Sequence, residues 1–286
     1  MVELRRADLA DSWYPGREAA CRKAIEEFSS ASRPCPGDGV KAVGGILPHA
    51  GWAYSGKIAC NVIMCLRSGS EPDTCIIFGH HMHTGSGNLI MKRGRWDTPL
   101  GQVEVDSAIT ERLVEEFRFT EETASHYQQD NTIEVQLPFI KYFFPETRIV
   151  PIGLPPRAAS LEIARRVARI SEEMGKRAVV LGSTDLTHYG YNYGYTPKGV
   201  GKEAVQWVRN ENDRRAIDLM IKMDPEGLME EALTNYNVCC SGAAGAAITA
   251  AKELGAGRGE EVDYFTSYDI RPDSSFVGYV GIVFYR

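Results

Sequence analysis

The sequence predicts an α/β protein in which helices cover both faces of a central, mostly parallel sheet. Two observations carry this prediction. First, short runs rich in Ile and Val, each ended by Gly or Pro, are typical of buried strands. Second, amphipathic stretches with the period of a helix separate these runs, and strands that alternate with helices favour a parallel sheet.

These two patterns place the predicted elements along the chain. The strands are 42–48, 74–79, 148–154 and 177–183, followed by two closing strands within 261–270 and 275–285 that we expect to pair antiparallel. The helices are 17–28, 107–119, 158–174, 203–223 and 242–254. No internal repeat, low-complexity tract or linker interrupts the series, so residues 1–286 are expected to form a single domain.

The bulk composition argues against several classes of protein. The chain has 286 residues, 43% of them hydrophobic, and a net charge of −6. Because no long Lys/Arg run offsets that charge, a nucleic-acid-binding surface is not expected. No apolar stretch approaches the roughly 18 residues of a membrane span, and residues 1–16 lack the apolar segment of a signal peptide. We therefore expect no membrane segment and a cytoplasmic location.

The seven cysteines predict buried thiols rather than a disulfide framework. Their number is odd, and most lie within apolar runs, as Cys60 and Cys65 do in 58–66. No pair of CxxC motifs is present, so a structural zinc knuckle is not predicted. Cys239 and Cys240 are the exception, because a helix of small residues is predicted to begin directly after them.

Chemically capable side chains follow three of the predicted strands. They are His49 after the first strand, His80, His81 and His83 after the second, and Ser183, Asp185 and His188 after the fourth. Because the carboxyl ends of parallel strands form one edge of a sheet, we expect these groups to converge. Five of the six histidines in the chain would then lie close together, which is the main functional signal of the sequence.

Local geometry narrows the roles that these groups can play. Adjacent residues in an extended segment point to opposite sides, so His80 and His81 are not expected to bind one ion, whereas His81 and His83 share a side. Asp185 and His188 are three residues apart, so a helical turn would let the carboxylate set the tautomer and basicity of the imidazole. The alternative is that this segment caps a helix and His188 faces solvent.

Cys239 completes a set of groups that resembles a metal site with open positions. A helix N-terminus favours the thiolate form of a nearby cysteine, and a thiolate binds Fe, Cu or Zn well. The alternative is a buried apolar cysteine. A Ser–His–Asp hydrolase built on Ser183 is not favoured, because the chain lacks the GxSxG elbow. No GxGxxG motif or P-loop is present to indicate a nucleotide cofactor.

Five motifs in order along the chain give it a family resemblance. They are "ADSWYPG" (10–16), "PHAGWAYSG" (48–56), "TIEVQLPF" (132–139), "GSTDLTHYG" (182–190) and "CCSG" (239–242). The chain resembles the MEMO family, also called AmmeMemoRadiSam system protein B, which is related to the class III extradiol ring-cleaving dioxygenases. The resemblance spans nearly the whole chain and implies a single α/β domain of the dioxygenase-like type.

The resemblance also implies roles for particular residues. The metal ligands would be His49, one histidine of the 79–83 loop and Cys239. Aligning the loop on its flanking motifs favours His81, whereas aligning it on "HTGSG" favours His83, so both are candidates. His188 would be the acid–base group of the dioxygenases, supported by Asp185.

The chain departs from the family pattern in this loop, where "GHHMH" (79–83) lacks the Pro of the family's GPxH motif, and at two further positions. Asn131 stands where the family has a histidine, which removes an acid–base group from that wall of the pocket. Cys240 stands where the family has a glycine, so it competes with Cys239 as a possible ligand.

The resulting hypothesis is a mononuclear non-haem metal protein. Fe(II) is the expected ion, with Cu or Zn as alternatives, and the chemistry would be dioxygenase-like, on a small substrate for which a phenol is the candidate class. His188 would move the substrate proton, and Tyr54 and Tyr189 would line the pocket. The alternative is a non-catalytic metal-binding or interaction protein that acts with radical SAM and AMMECR1-type partners, which the family name implies. A zinc hydrolase is a third possibility.

Overall fold

A nine-stranded sheet organises the computed structural model, which describes residues 3–37, 39–67 and 71–286. The strands in chain order are β1 (Leu4–Arg5), β2 (Ala42–Leu47), β3 (Thr74–Gly79), β4 (Leu89–Met91), β5 (Arg95–Trp96), β6 (Val103–Glu104), β7 (Thr120–Glu122), β8 (Arg148–Gly153), β9 (Ala178–Ser183), β10 (His188–Tyr189), β11 (Arg258–Thr266) and β12 (Phe276–Tyr285). Strands β1, β5 and β6 form a separate three-stranded sheet.

The parallel centre of the large sheet aligns the ends of four strands. The order is β10-β12-β2-β9-β3-β8-β4-β7, with β11 paired to the other edge of β12. Strands β2, β9, β3 and β8 run parallel, and the register pairs Leu47 with Ser183 and Gly79 with Gly153. The two closing strands β11 and β12 are antiparallel, as predicted. The predicted fold class is thus confirmed, and the strand ends form one edge of the sheet.

The helices lie on the two faces of this sheet. They are α1 (Glu18–Ser30), α2 (Trp52–Cys65), α3 (Ser107–Glu116), α4 (Asn131–Glu134), α5 (Leu137–Phe143), α6 (Ala158–Glu173), α7 (Lys202–Trp207), α8 (Asp213–Ile221), α9 (Pro225–Asn235), α10 (Ser241–Glu253) and α11 (Ser267–Ile270). A π-helical turn, Val208–Asn212, joins α7 to α8, so the single helix predicted at 203–223 is interrupted. None of the helices in the described ranges is long and apolar enough to cross a bilayer.

Helix α10 packs closely on the sheet because its side chains are small. It contacts α6 and β9, and its sequence is mostly Ala and Gly, buried along nearly its whole length. At Gly242 a Cβ atom would overlap the carbonyl oxygen of Leu154, so only glycine fits this approach. The packing brings the residues just before α10, Cys239 and Cys240, over the ends of the parallel strands.

One disulfide contradicts the prediction that the cysteines are unpaired thiols. Cys35 and Cys65 are bonded, although Cys65 lies in the apolar pattern of α2. The two residues are 30 positions apart in sequence, and only the packing of the segment after α1 against the end of α2 brings them together. Cys21, Cys60 and Cys75 are free and buried, as the apolar patterns predicted, and Cys240 is free and buried as well.

Candidate metal centre

Four potential ligand side chains meet at the carboxyl edge of the parallel strands. His49 follows β2, His81 follows β3, and Cys239 and Cys240 precede α10. One donor atom from each of these residues lies within 4.8 Å of every other, so the cluster could hold a metal ion. Of the five histidines expected to converge at the strand ends, His49 and His81 belong to this cluster, and the two cysteines join them from the start of α10.

His49 is held with its Nε2 atom facing the cluster. The Ser183 hydroxyl donates to the Thr132 carbonyl over 2.6 Å, so its oxygen accepts the Nδ1 proton of His49 over 3.1 Å. This fixes the tautomer and leaves Nε2, 3.4 Å from the Cys239 sulfur, free to bind a metal. Burial would lower the pKa of His49, but the nearby Asp185 and Cys239 charges raise it above its ordinary value.

His81 is held by a carboxylate instead of a hydroxyl. Asp130 accepts hydrogen bonds from the His81 backbone N–H at 3.2 Å and from Nδ1 at 3.1 Å, which again leaves Nε2 as the ligand atom. Hydrogen bonds to Asp130 and Cys239 raise the pKa of His81 to about 10. Burial would raise the pKa of Asp130, but its bonds from His81 and Thr132 hold it below its ordinary value.

The other two histidines of the same loop are placed away from the cluster. His80 has a positive φ of 67°, and its backbone N–H donates to the Thr132 hydroxyl over 2.7 Å. Its ring is buried beside Glu122, and burial lowers its pKa. His83 is exposed, and its Nδ1 accepts from the Gly85 backbone. The left-handed turn at His80 thus selects His81 over His83.

Cys239 has the surroundings of a thiolate. Its half-buried sulfur accepts from the Asp185 backbone N–H at 3.2 Å and lies 3.6 Å from the Thr184 hydroxyl. Burial would raise the pKa of Cys239, but the bond from the Cys240 thiol and the neighbouring His49 hold it well below the ordinary value. Burial raises the pKa of Cys240, which stays a thiol.

His188 and Asp185 are not paired in the predicted way. The helical turn that would join them does not form, because His188 lies in β10. The Asp185 carboxylate accepts from the His49 backbone N–H over 2.8 Å. His188 donates from Nδ1 to the Leu186 carbonyl over 3.1 Å, and its ring meets Tyr193 edge-on. A backbone carbonyl therefore sets the His188 tautomer, and the Asp185 carboxylate binds the backbone at His49 instead.

Two cavities, of about 590 and 780 Å³, reach the cluster, the first lined by His49 and the second by Cys239. His81, His188 and Tyr193 line both of them. Tyr54 and Asn131 line the smaller cavity, as predicted for the pocket, and Asn131 donates its amide to the His49 carbonyl over 2.8 Å.

Tyr189 does not line either cavity. It is fully buried, and its hydroxyl donates to the Gly199 carbonyl over 2.8 Å. Tyr193, four residues further along the chain, lines the cavities in the place predicted for Tyr189. Alternation along β10 explains the difference, because adjacent strand residues point to opposite sides and His188 faces the cavities.

Three residues beside the cluster or His188 were not predicted from the sequence. Besides Tyr193, these are Asp130 and the buried Asp213, which accepts hydrogen bonds from Thr187 and Tyr264 directly beside His188. Burial raises the pKa of Asp213 to about 6. Asp130 had a local signal, because an Asp two positions before Thr132 is a typical helix N-cap, and its side chain does accept from the Thr132 backbone. Asp213 lies in an ordinary amphipathic stretch and had none.

Comparison with known proteins identifies the family. The model of the Memo-like protein family matches residues 5–283. The chain belongs to this Memo-like family. A MEMO1 family protein of Pyrobaculum arsenaticum is 33% identical over 100% of both chains. Another, from Methanothermobacter thermautotrophicus, is 34% identical over 96% of this chain and 98% of its own.

The family assignment confirms the resemblance drawn from the five motifs. Among solved structures, an uncharacterized protein from Escherichia coli K12 is similar at a TM-score of 0.48 and 13% identity, covering 84% of this chain and 99% of its own. In this Memo-like protein the "PHAG" and "CCSG" segments are the ones that place His49 and Cys239 in the cluster.

Proposed function

We propose that this Memo-like protein binds a single transition-metal ion through His49, His81 and Cys239. The observation that carries the proposal is the orientation of the two rings. Each Nδ1 atom is engaged, by Ser183 or Asp130, and each Nε2 atom is left for the cluster. Metal-bound histidines have this arrangement, because the partner of the second nitrogen fixes the ring and increases its basicity.

The spacing of the donor atoms fits such an ion. Ligand atoms about 2.0–2.3 Å from a tetrahedral ion lie roughly 3–4 Å apart, and the His49 Nε2 to Cys239 Sγ distance is 3.4 Å. We propose Fe(II) as the ion, on the strength of the dioxygenase resemblance. Cu and Zn are the other ions that two imidazoles and a thiolate suit. Three protein ligands leave positions open, which both cavities can reach.

The proposed reaction is dioxygenase-like redox chemistry on a small phenolic substrate. A bound iron ion supplies Lewis acidity and one-electron redox chemistry. His188 supplies the proton transfer, since its Nδ1 proton is committed to Leu186 and its Nε2 atom remains able to accept a hydroxyl proton. Tyr54 and Asn131 define the wall of the smaller cavity in which the ring would lie.

Anaerobic loading followed by oxygen-uptake assays tests this proposal. The protein is loaded with Fe(II), its metal content is measured, and oxygen uptake is followed with a panel of catechols and other phenols. We expect one iron per chain and substrate-dependent uptake, which His188→Ala reduces without loss of iron. His83→Ala is the matched control from the same loop, and it should change neither reading. Full iron content with no uptake across the panel would reject the dioxygenase proposal.

A second candidate function is metal binding without turnover, in a complex with radical SAM and AMMECR1-type proteins. Asn131 favours it, because the amide stands where the family has a histidine and is occupied with the His49 carbonyl. Co-purification of the metal-loaded chain with such partners, together with no oxygen uptake, is the result expected from this candidate. Zinc content with activity in the absence of oxygen is the result expected from a hydrolase.

A further inference from the structure

Two adjacent cysteines lie at a centre that needs only one of them. The Cys239 and Cys240 sulfur atoms are 3.7 Å apart, and both belong to the four-residue cluster. Cys239 is half-buried and lines the larger cavity, whereas Cys240 is only 3% exposed and does not line it. The pair therefore consists of an accessible sulfur with a second sulfur directly behind it.

We propose that Cys239 and Cys240 are a redox-active dithiol site, which a small hydroperoxide such as hydrogen peroxide converts to a vicinal disulfide. The disulfide then removes the thiolate ligand, so oxidation regulates metal binding. The formation of the disulfide concerns the cysteines alone. The regulation of metal binding by oxidation rests on the proposed function, because it requires that the reduced protein bind a metal.

The larger cavity gives a peroxide access to one sulfur only. Reactive cysteines are typically accessible and have a resolving cysteine nearby. The free cysteines Cys21, Cys60 and Cys75 are at most 1% exposed and line neither cavity at the cluster. Cys239 is thus the free cysteine that a peroxide in the cavity meets first.

The reaction balances with one peroxide as the oxidant. The Cys239 thiolate attacks one peroxide oxygen, the O–O bond breaks, and the hydroxide that leaves takes up a proton from solvent to become water, which gives a sulfenic acid at Cys239. The Cys240 sulfur then attacks the Cys239 sulfur, the S–O bond breaks, and a second water leaves with the Cys240 proton. The two thiols lose two electrons, and the peroxide is reduced by the same two electrons.

The product is expected to be easily reduced. The sulfur atoms must close from 3.7 Å to about 2.05 Å. Neighbouring Cα atoms are about 3.8 Å apart across a trans peptide, which is shorter than the roughly 4.4–6.8 Å usual for disulfides. The resulting strain favours attack by a dithiol reductant. The site would therefore switch reversibly.

Oxidation and metal binding exclude each other in this arrangement. A thiolate is the form of cysteine that binds metals, and a disulfide sulfur is not a thiolate. In the other direction, a metal bound between His49 and Cys239 occupies the sulfur that the peroxide must reach. Metal-loaded protein should therefore be oxidised much more slowly than metal-free protein.

The test is mass spectrometry of the full chain after treatment with equimolar hydrogen peroxide. Metal-free, reduced protein is treated, free thiols are alkylated in denaturant, and the peptides are mapped. We expect the peptide with Cys239 and Cys240 to lack alkylation and to be lighter by two hydrogen atoms. Cys21, Cys60 and Cys75 should be fully alkylated. Mapping also keeps the Cys35–Cys65 disulfide apart from the new bond.

The variant Cys240→Ser is the matched control. It keeps Cys239 and its cavity but removes the resolving sulfur, so we expect oxygen adducts on Cys239 and no disulfide. Wild-type protein that stays fully reduced, or that accumulates oxygen adducts on Cys239 without the disulfide, would overturn the proposal. The wild-type result decides this even if the variant does not fold.

Metal content is then measured separately in the reduced and oxidised protein. We expect one ion per chain in the reduced protein, near none after oxidation, and full recovery with dithiothreitol. Equal metal content in both states would overturn the regulatory statement. Reduced protein that binds no metal would reject the proposed function instead. The mass of the peptide with Cys239 and Cys240 would still test whether the disulfide forms.

Discussion

His49 and His81 bring equivalent nitrogen atoms to one cluster from two differently built strand ends. His49 follows a proline, is 1% exposed, and is held by the hydroxyl of Ser183. The His81 side chain is 46% exposed and is held by the carboxylate of Asp130. The comparison shows that one imidazole is buried and held by a neutral hydroxyl, whereas the other is partly exposed and held by a carboxylate, whose hydrogen bond is the first cause of the raised pKa of His81.

The largest expected effect comes from removing either imidazole. His49→Ala and His81→Ala should each abolish stoichiometric metal binding, because two protein ligands do not hold an ion that three are arranged to bind. Inductively coupled plasma mass spectrometry of anaerobically loaded protein measures this. His83→Ala and His188→Ala should keep full metal content. Loss of metal in His188→Ala would show that the division between ligands and proton-transfer group is wrong.

The partners of the two rings should differ in importance. Asp130→Asn removes the charge behind His81, and we expect the metal affinity to fall by about 10–100-fold, as is typical for such outer partners. Ser183→Ala removes a neutral hydrogen bond and should cost less, since charge-assisted bonds are roughly twice as strong. Competition with a chelating dye measures both. Asp73→Asn, in an exposed ion pair with Arg177, is the control and should leave the affinity unchanged.

Besides His49, whose pKa is also raised, a second source of pH dependence in metal binding should be His81. Its pKa is about 10 in the metal-free protein, so at neutral pH the ring carries a proton that binding must displace. The apparent affinity should therefore rise by at least about tenfold per pH unit between about pH 7 and 10 and then level off. Asp130→Asn removes the main cause of the raised pKa and should flatten this rise. An unchanged slope in that variant would contradict the assignment.

The smallest effect on the metal centre is expected at Asp213, outside both strand ends, where the change should appear in stability alone. Burial raises its pKa from 3.8 to about 6, so the folded state binds the proton more tightly than the unfolded state. The stability that this proton contributes is complete below about pH 3.8 and is lost as the pH rises through 6. The difference corresponds to about 3 kcal/mol. Asp213→Asn should lack this pH dependence in urea unfolding, with its metal content unchanged.

The strands of the sheet could be predicted because each apolar run ends at a residue type that interrupts a buried strand. The predicted strands at 42–48 and 177–183 end within one residue of β2 and β9, where Pro48 or a polar residue follows the apolar run. The prediction of one continuous helix at 203–223 was less accurate. Its apolar spacing continues through the π-helical turn Val208–Asn212, and spacing alone does not report one added residue per turn.

Only those residues of the candidate site that lie directly at a strand end could be placed from the sequence. His49 lies directly after a strand, so the convergence of parallel strands places it. The choice between His81 and His83 depends on the positive φ of His80, which no residue type in the loop dictates. The anchoring of His81 by Asp130 and the disulfide between Cys35 and Cys65 both depend on tertiary approach between distant segments.

The central claim is that His49, His81 and Cys239 hold one metal ion. The most direct measurement is an anomalous-difference map from crystals of the protein loaded anaerobically with Fe(II), with data collected at the iron edge. We predict a single peak within about 2.0–2.4 Å of the two Nε2 atoms and the Cys239 sulfur. A peak coordinated by His83 or His188, or a fully loaded protein with no peak at this cluster, would contradict the account.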